Sequence, residues 1–177
     1  MANEVSMTVK ANLPYYIWKC ARTLYLLRIP LLPFLLQQFS RVMFCCLVPY
    51  KTVLGKNVHL SHLGMGIVVN PDVVIGNNVK INQHVTIGGV GEQKCPVIDD
   101  DVYIGAGAKV LGAVHIGRGA RIGANAVVLC DVPPGATAVG VPARIILKGT
   151  PRPAAATEMP SLNQAQHHES DSSSPQL

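Results

Sequence analysis

The chain has 177 residues, enough for one domain with appendages, and its formal net charge of +5 is spread along the sequence. It has neither the basic stripe nor the aromatic ladder that is typical of nucleic-acid-binding proteins, so we expect no nucleic-acid partner. The five cysteines are odd in number and lack the spacing of zinc ligands or of a disulfide framework. They fit a reducing compartment, and we expect a cytoplasmic protein.

The N-terminal segment, residues 1–49, is apolar and predicts two short helices. Residues 15–28 and 32–47 carry large apolar side chains with scattered Lys and Arg, and Pro30 and Pro33 separate them. The longest charge-free stretch of this region has twelve residues, which is too short for a bilayer span. We expect the helices to cover the open first coil of the repeat that follows. Contact with a membrane surface is an alternative role.

A six-residue rhythm in the middle of the chain predicts a parallel β-helix over residues 50–148. One slot always holds a branched aliphatic residue, and a slot four residues later always holds Val or Ala. Neither a helix nor an amphipathic strand has this period, whereas stacked coils do. The length allows about five coils at the strand spacing of roughly 4.8 Å, and the period leaves their handedness open. The first slot holds Ile98, Ile104, Val110, Ile116, Ile122 and Val128.

The C-terminal segment, residues 149–177, differs in composition from the repeat. It is rich in Pro, Ser, Ala and Gln and has few large apolar residues. Such a segment cannot bury enough apolar surface to fold, so we expect a disordered tail.

Two interruptions of the rhythm are the expected functional positions, because insertions into a repeat form loops outside the stack. The first, residues 61–66, contains a histidine and two glycines. The second, residues 88–96, contains three glycines, a lysine and a cysteine. Fewer than two coils separate them along the stack, so they can face one cleft.

His62 is the histidine that we expect to be catalytic. It lies in the first interruption beside glycines that allow close approach of a ligand, where a neutral imidazole can act as general base. His59 and His115 occupy an outward slot that is typical of solvated surface. His84 occupies a corner slot, where His is an acceptable substitute for Asn in the left-handed backbone of a sharp turn.

Three motifs resemble the hexapeptide-repeat acyltransferases, most closely their serine O-acetyltransferase type. They are Ile-Gly-Asn-Asn-Val at 75–79, Ile-Gly-Ala-Gly-Ala-Lys-Val-Leu-Gly at 104–112 and Gly-Val-Pro-Ala-Arg at 140–144. The resemblance covers residues 50–147 and both interruptions, and residues 29–33 resemble shorter members that acetylate sugars. It implies a left-handed β-helix, a homotrimer with active sites between subunits, and acetyl-CoA as donor.

The same resemblance implies roles for individual residues. His62 matches the catalytic histidine. Gly89, Ala106 and Ala124 match small residues that line the pantetheine groove, where a larger side chain would block a slot between coils. Arg121 matches a basic position near the nucleotide end of CoA, where a guanidinium binds phosphate.

Departures from the family pattern concern the acceptor. Ser61 and the pair Lys94-Cys95 stand where serine acetyltransferases have an Asp and an Arg-His pair, and Leu47 lies near the position of the Asp that orients the histidine. With His84, the residues Ser61, Lys94 and Cys95 are the candidate acceptor-binding positions. The lost charges weaken the case for L-serine, although Lys94 can still hold its carboxylate. A sugar or polysaccharide-precursor hydroxyl is therefore slightly favoured.

We expect an acetyl-CoA-dependent O-acetyltransferase in which His62 is the base and no metal takes part. Two alternatives stay open. A metal hydratase of the carbonic-anhydrase kind also uses a β-helix, but it needs three histidines on one Zn²⁺, and the histidines here fall in different phases of the repeat. A non-catalytic trimeric scaffold would need neither small groove residues nor a histidine in the interruption.

Overall fold

The computed structural model describes residues 12–91 and 94–147. Two helices come first, α1 at Leu13–Leu26 and α2 at Leu32–Phe44, and each has a proline in its first turn, where the missing N–H has no intrahelical partner to lose. Neither helix is long and apolar enough to cross a bilayer, and the same holds for any helix in the described part of the chain. The tail expected at 149–177 lies outside the described residues.

Helix α1 covers the open edge of the first coil. The side-chain amide of Asn12 donates to the Val58 carbonyl (2.9 Å), and its oxygen accepts from the Leu60 N–H (2.9 Å). The indole N–H of Trp18 donates to the Pro49 carbonyl (3.1 Å). Strand-edge groups of the first coil are therefore bonded to the helical segment, which confirms the expected cap.

After the helices the chain winds into a three-sided parallel β-helix, and each coil gives one short strand to each face. The first face contains β1 (Val53–Leu54), β4 (Val74–Ile75), β7 (Val97–Ile98) and β10 (His115–Ile116). The second face contains β2 (His59–Leu60), β5 (Lys80–Ile81), β8 (Tyr103–Ile104), β11 (Arg121–Ile122), β13 (Thr137–Val139) and β14 (Arg144–Ile146). The third face contains β3 (Val68–Val69), β6 (Thr86–Gly88), β9 (Lys109–Leu111) and β12 (Val127–Val128).

The β-helix has about four complete coils, one fewer than the length predicted. The chain does not finish a fifth coil because it reverses after β13, and β14 pairs antiparallel with β13. All other strand pairs within the three faces are parallel. Residues 137–146 thus form a hairpin at the end of the second face.

The strand register keeps the aliphatic slot of the repeat in the core. Ile104 pairs with Ile81 below it and with Ile122 above it, and all three are fully buried. In the corner slot, Ala113 and Asp131 lack the expected left-handed backbone, but the other five non-glycine residues have it, with φ between 55° and 61°. Those residues are Asn57, Asn78, His84, Asp101 and Asn125.

Candidate active site

The first interruption forms a turn between the second and third faces. A short 3-10 segment at Ser61–Gly64 joins β2 to β3, and its residues His62 and Leu63 have φ of 52° and 55°. This left-handed backbone is uncommon for residues other than glycine and clusters at functional sites. The imidazole of His62 is exposed. We name this corner of the prism the histidine edge; it comprises residues 61–67, 82–85, 105–108 and 123–126.

Ser61, the neighbour of His62, is buried, with 6% of its surface exposed. In the part of the chain that the structure describes, its hydroxyl oxygen is the one buried side-chain polar atom without a hydrogen-bond partner. Leaving such a group unpaired costs about 1–3 kcal/mol, and most buried polar groups in proteins have a partner. A polar group of a ligand at the histidine edge can make the missing bond.

The turn rests on the segment that follows α2. The Gly66 N–H donates to the Cys45 carbonyl (3.1 Å), and Leu47 forms a β-bridge with Val68 of β3. Leu47 therefore lies beside the first interruption, as the alignment with the family pattern expects, but its side chain cannot accept a hydrogen bond from an imidazole. Among the described residues, no side-chain hydrogen bond to His62 is found.

Cys46 packs beneath the same turn. Burial raises the pKa of the Cys46 thiol to about 12, although the Ser40 hydroxyl lowers it in part. Gly64 lies directly against it, since a Cβ at position 64 would be 2.7 Å from the sulfur. The thiol stays protonated at neutral pH and fills space under the turn.

His84 lies one coil beyond the turn on the histidine edge. Its backbone N–H donates to the Met65 carbonyl (2.8 Å), and its carbonyl accepts from the Lys109 ammonium (2.9 Å). The imidazole lies so close to Gly66 that any Cβ at position 66 would overlap it. The glycine of the interruption is therefore needed for this contact, which joins His84 and the turn of His62 into one surface.

Small residues continue the histidine edge in the next two coils. Ala106 and Ala124 follow β8 and β11, and the Asn125 N–H donates to the Ala106 carbonyl (2.8 Å). Ala106 is half-buried and Ala124 is exposed. From the turn of His62 to Ala124 the edge rises by three coil spacings, about 14 Å. The two methyl groups leave space beside the edge for an extended ligand.

Arg121 flanks the far end of the histidine edge. It lies on β11, and its guanidinium stacks 4.9 Å from the centroid of the Tyr103 ring on the neighbouring strand β8. Among the described residues no carboxylate pairs with it. A stacked guanidinium keeps its N–H groups available for bidentate binding of phosphate.

The second interruption lies at a different corner, between the third and first faces. Gly89 follows β6 and is half-buried, Lys94 is exposed, and Cys95 packs partly buried against the core. Residues 92–93 lie outside the described residues. The two interruptions therefore lie at opposite edges of the third face rather than at one corner.

A cavity of about 620 Å³ lies between α2 and the third face. Gly89 lines it, whereas His62 lies outside it on the histidine edge. The sequence did not predict this cavity because it depends on how α2 packs, and the four polar residues of α2, of which Gln37 and Arg41 line the cavity, do not reveal it. Its wall combines apolar side chains with two cations, as in Phe34, Arg41, Leu47 and Lys51.

Within residues 12–91 and 94–147, no group of three or more His, Cys, Asp or Glu side chains is arranged to hold a metal ion. His115 lies on the first face, away from the histidine edge, where its Nε2 atom is 2.9 Å from the Asp99 carboxylate.

The free energy of unfolding is expected to rise with pH below neutrality because of His59. Burial lowers the pKa of His59 from its ordinary value of 6.5, and the charges of Lys80, its partner across β2 and β5, and of His62 lower it further. Between the lowered pKa and 6.5 the unfolded chain binds a proton that the folded chain does not bind. Stability therefore increases with pH across that window and is lost as the pH falls through it.

Urea unfolding at several pH values across this window measures the effect. His59→Gln is expected to flatten the slope of stability against pH. Lys80→Gln removes the charge of Lys80 but leaves His59 buried, so it should reduce the slope of stability against pH without reversing it. An unchanged slope in His59→Gln would show that other groups determine the pH dependence.

Comparison with protein-family models places part of the β-helix in a known family. The model described as "Bacterial transferase hexapeptide (six repeats)" matches residues 95–130. This stretch contains β7 to β12, and thus the upper part of the stack with Ala106, Arg121 and Ala124.

Two curated relatives are serine acetyltransferases. The protein from Synechococcus elongatus is 41% identical over 133 residues, which are 73% of this chain and 54% of the relative. The protein from Bacillus subtilis is 38% identical over 148 residues, which are 82% of this chain and 68% of the relative. The chain thus spans about half the length of the first relative and two thirds of the second.

Solved structures of serine acetyltransferases have the same fold. The soybean enzyme complexed with serine matches with a TM-score of 0.71 at 41% identity, over 76% of this chain and 56% of that chain. A serine acetyltransferase complexed with CoA matches with a TM-score of 0.67 at 37% identity, over 75% and 55%. The fold class expected from the resemblance, a left-handed parallel β-helix after a helical cap, is confirmed. The chain belongs to the hexapeptide-repeat acyltransferase family, in its serine acetyltransferase group.

Proposed function

We propose that this chain is an O-acetyltransferase that uses acetyl-CoA, with His62 as general base. The observation that carries the proposal is the histidine edge, where an exposed imidazole, two small residues and a stacked guanidinium follow one another. The thioester would lie at His62, the pantetheine along Ala106 and Ala124, and a phosphate at Arg121. The names of the relatives and the CoA complex of a structural neighbour support this assignment.

In this proposal His62 accepts the proton of the acceptor hydroxyl as the hydroxyl oxygen attacks the thioester carbonyl. A C–O bond forms, the tetrahedral intermediate collapses, and the C–S bond breaks. CoA leaves as a thiolate, and the imidazolium of His62 returns the proton to its sulfur. General-base catalysis of this kind typically contributes roughly 10²–10⁴-fold to the rate.

We propose that the active site is shared between subunits of a homotrimer. Because the two interruptions lie at opposite edges of the third face, Lys94 and Cys95 would complete the site at the His62 of a neighbouring subunit. The first face offers a surface for subunit contact, since one valine from each of three stacked strands is 40–42% exposed there. Those residues are Val53, Val74 and Val97. Sedimentation equilibrium of the purified chain tests the trimer, and a monomer would contradict it.

L-serine is the acceptor that the relatives support, since one neighbour is a complex with serine. The exposed ammonium of Lys94 can pair with the carboxylate of serine. A sugar hydroxyl is the second candidate. Residues 61–66 contain no carboxylate that could bind the ammonium of serine, and the buried Ser61 hydroxyl is a neutral partner suited to another hydroxyl.

Release of the CoA thiol from acetyl-CoA tests both the reaction and the acceptor. L-serine is assayed first, and a panel of sugars and nucleotide-sugars follows. Release that depends on serine supports the first acceptor. Release with a sugar alone would make Ser61 and Lys94-Cys95 the origin of a changed specificity. A chain that binds no CoA would contradict the proposed reaction as a whole.

Arg121→Gln is expected to weaken CoA binding by about tenfold, because a charge-assisted hydrogen bond to phosphate is lost. Arg118→Gln is the matched control. Arg118 is also exposed to solvent but pairs with Asp100 (3.0 Å) at another corner, and its loss should leave CoA affinity unchanged.

Calorimetry with CoA and with dephospho-CoA measures which phosphate Arg121 binds. If Arg121 binds the 3′-phosphate, wild type and Arg121→Gln should bind dephospho-CoA equally. Equal affinity of the two proteins for CoA itself would show that the guanidinium does not contact the donor.

A further inference from the structure

Helix α2 is apolar on its solvent side. Its buried residues are Pro33 and Ser40, whereas six large apolar side chains are between 42% and 77% exposed. A helix packed on a soluble domain normally shows the opposite arrangement, with the apolar stripe buried and the polar side chains outside. The exposed residues are Leu32, Phe34, Leu35, Phe39, Val42 and Met43.

The connection between α1 and α2 extends this surface. Leu26, Leu27, Ile29 and Leu31 lie at the tip of the helical hairpin and are 39–68% exposed. On α2, the spacing of residues 32, 35, 39, 42 and 43 places them on one side of the helix. Contiguous exposed apolar surface of this kind marks an interaction site. Phe34 lies on the side of α2 that lines the cavity, and we name the other nine residues of the tip and of α2 the hairpin surface.

The charges around the hairpin surface are all positive. Residues 5–71 contain seven Lys and Arg and no Asp or Glu, so the modest net charge of the whole chain conceals a local excess. Arg28 is exposed at the tip, and Lys19 and Arg41 are exposed on the two helices. A partner that covers this surface must therefore offer both an apolar layer and negative charge.

We propose that the hairpin surface docks on the interface of an anionic lipid bilayer. Its apolar side chains would lie between the headgroups, and Arg28 would meet the lipid phosphates. At 14 and 13 residues the two helices are too short to span a bilayer. The hairpin also packs over the first coil, the coil that carries His62, so docking directs that end of the β-helix toward the bilayer.

A second copy of the chain fits this surface less well than a bilayer does. Two hairpins face to face would bring the cations of Lys19 and Arg28 against one another, and residues 12–71 hold no carboxylate to pair with them. Lipid phosphates supply the missing negative charge, and each cation near such a surface adds to the binding.

Co-sedimentation of the full chain with lipid vesicles tests the proposal. One set of vesicles contains phosphatidylcholine alone, and the other contains phosphatidylcholine and phosphatidylglycerol in equal amounts. The chain is expected to bind the anionic vesicles and to lose much of that binding at high salt. Equal binding to both sets of vesicles, or binding to neither, would overturn it.

Two variants locate the docking surface. Leu27→Asp combined with Leu35→Asp changes exposed positions and is expected to weaken binding roughly tenfold or more. Leu129→Asp is the matched control, since Leu129 is 56% exposed on the fourth coil, away from the hairpin surface. This variant should bind the vesicles as wild type does. Arg28→Gln is expected to weaken binding to anionic vesicles about fivefold, while Arg144→Gln, at the opposite end of the stack, should not.

The oligomeric state of the chain in the absence of lipid shows whether the hairpin surface binds a bilayer or a second copy of the chain. If the double Leu variant sediments with a smaller mass than wild type, the hairpin surface is an interface between copies and the proposal fails. If its mass is unchanged and its vesicle binding equals that of wild type, the hairpin surface is not the docking site. Arg28→Gln gives an independent result should the double variant fold poorly.

Discussion

Substitution of His62 by asparagine is expected to lower kcat for acetyl transfer by roughly 10²–10⁴-fold. Asparagine tolerates a left-handed backbone better than most residues, so the turn with φ of 52° should persist. The amide side chain of asparagine cannot take a proton from the acceptor hydroxyl. CoA affinity is expected to stay the same, because in the proposed site the donor would lie along Ala106, Ala124 and Arg121 and would not depend on the imidazole.

The control for this experiment is His115→Gln. His115 is exposed on the first face, where it pairs with Asp99, and it takes no part in the proposed site. Steady-state kinetics with saturating acetyl-CoA and a separate CoA titration distinguish loss of proton transfer from loss of binding. Near-normal kcat in His62→Asn would assign the base to another group, and loss of CoA binding would indicate a collapsed turn.

Gly105→Ala is expected to destabilise the fold by about 3 kcal/mol. A Cβ at position 105 would lie 2.6 Å from the Ala124 nitrogen and 2.8 Å from the Gly123 carbonyl carbon, which are backbone atoms of the next coil. The coils are held together here by a hydrogen bond from the Gly105 N–H to the Ile122 carbonyl (2.8 Å). The methyl group can therefore be accommodated only if the two coils separate and weaken such bonds.

Gly135→Ala is the matched control for the steric effect. A Cβ at position 135 would meet no atom within 4 Å, but the residue has φ of 70°. The expected loss is about 1 kcal/mol, from the left-handed backbone alone. Urea unfolding of both variants measures the difference. An equal decrease in the free energy of unfolding of the two variants would show that the stacked coils accommodate an added methyl group without loss of stability.

Most of the fold follows from the six-residue period. The aliphatic slot of the repeat, as at Ile81, Ile104 and Ile122, is buried in register because only one side chain per hexad can point into a narrow three-sided core. The number of coils was overestimated. The aliphatic residues of β14 keep the composition of the repeat, and the period does not reveal that the chain reverses before them.

The site was predicted less completely than the fold. The position of His62 follows from its place in an interruption, and its edge with His84, Ala106 and Ala124 follows from their shared place after strands of the second face. For the second interruption, distance along the stack indicated a common cleft with His62. The position around the axis of the β-helix separates the two interruptions, because Gly89 follows a strand of the third face and therefore lies at the next corner.

Features that depend on helix packing could not be read from the sequence. The cavity beside Gly89 exists because α2 packs over the third face, which presents Arg41 to it. The same packing leaves Phe39 and Val42 in solvent. An apolar helix in a sequence predicts burial of its large side chains, and only the structure shows that α2 buries Pro33 and Ser40 instead.

Closure of both ends of the stack limits how copies of this protein can associate. Helix α1 covers the first coil, and at the other end Gly140 and Ala143 bond to the backbone of Val127 while β14 covers β13. A parallel β-helix with bare terminal strands would pair with the next molecule end to end and grow into a fibre. With its ends covered, the chain leaves only its sides for contact between copies, and lateral association is the arrangement that creates clefts between subunits.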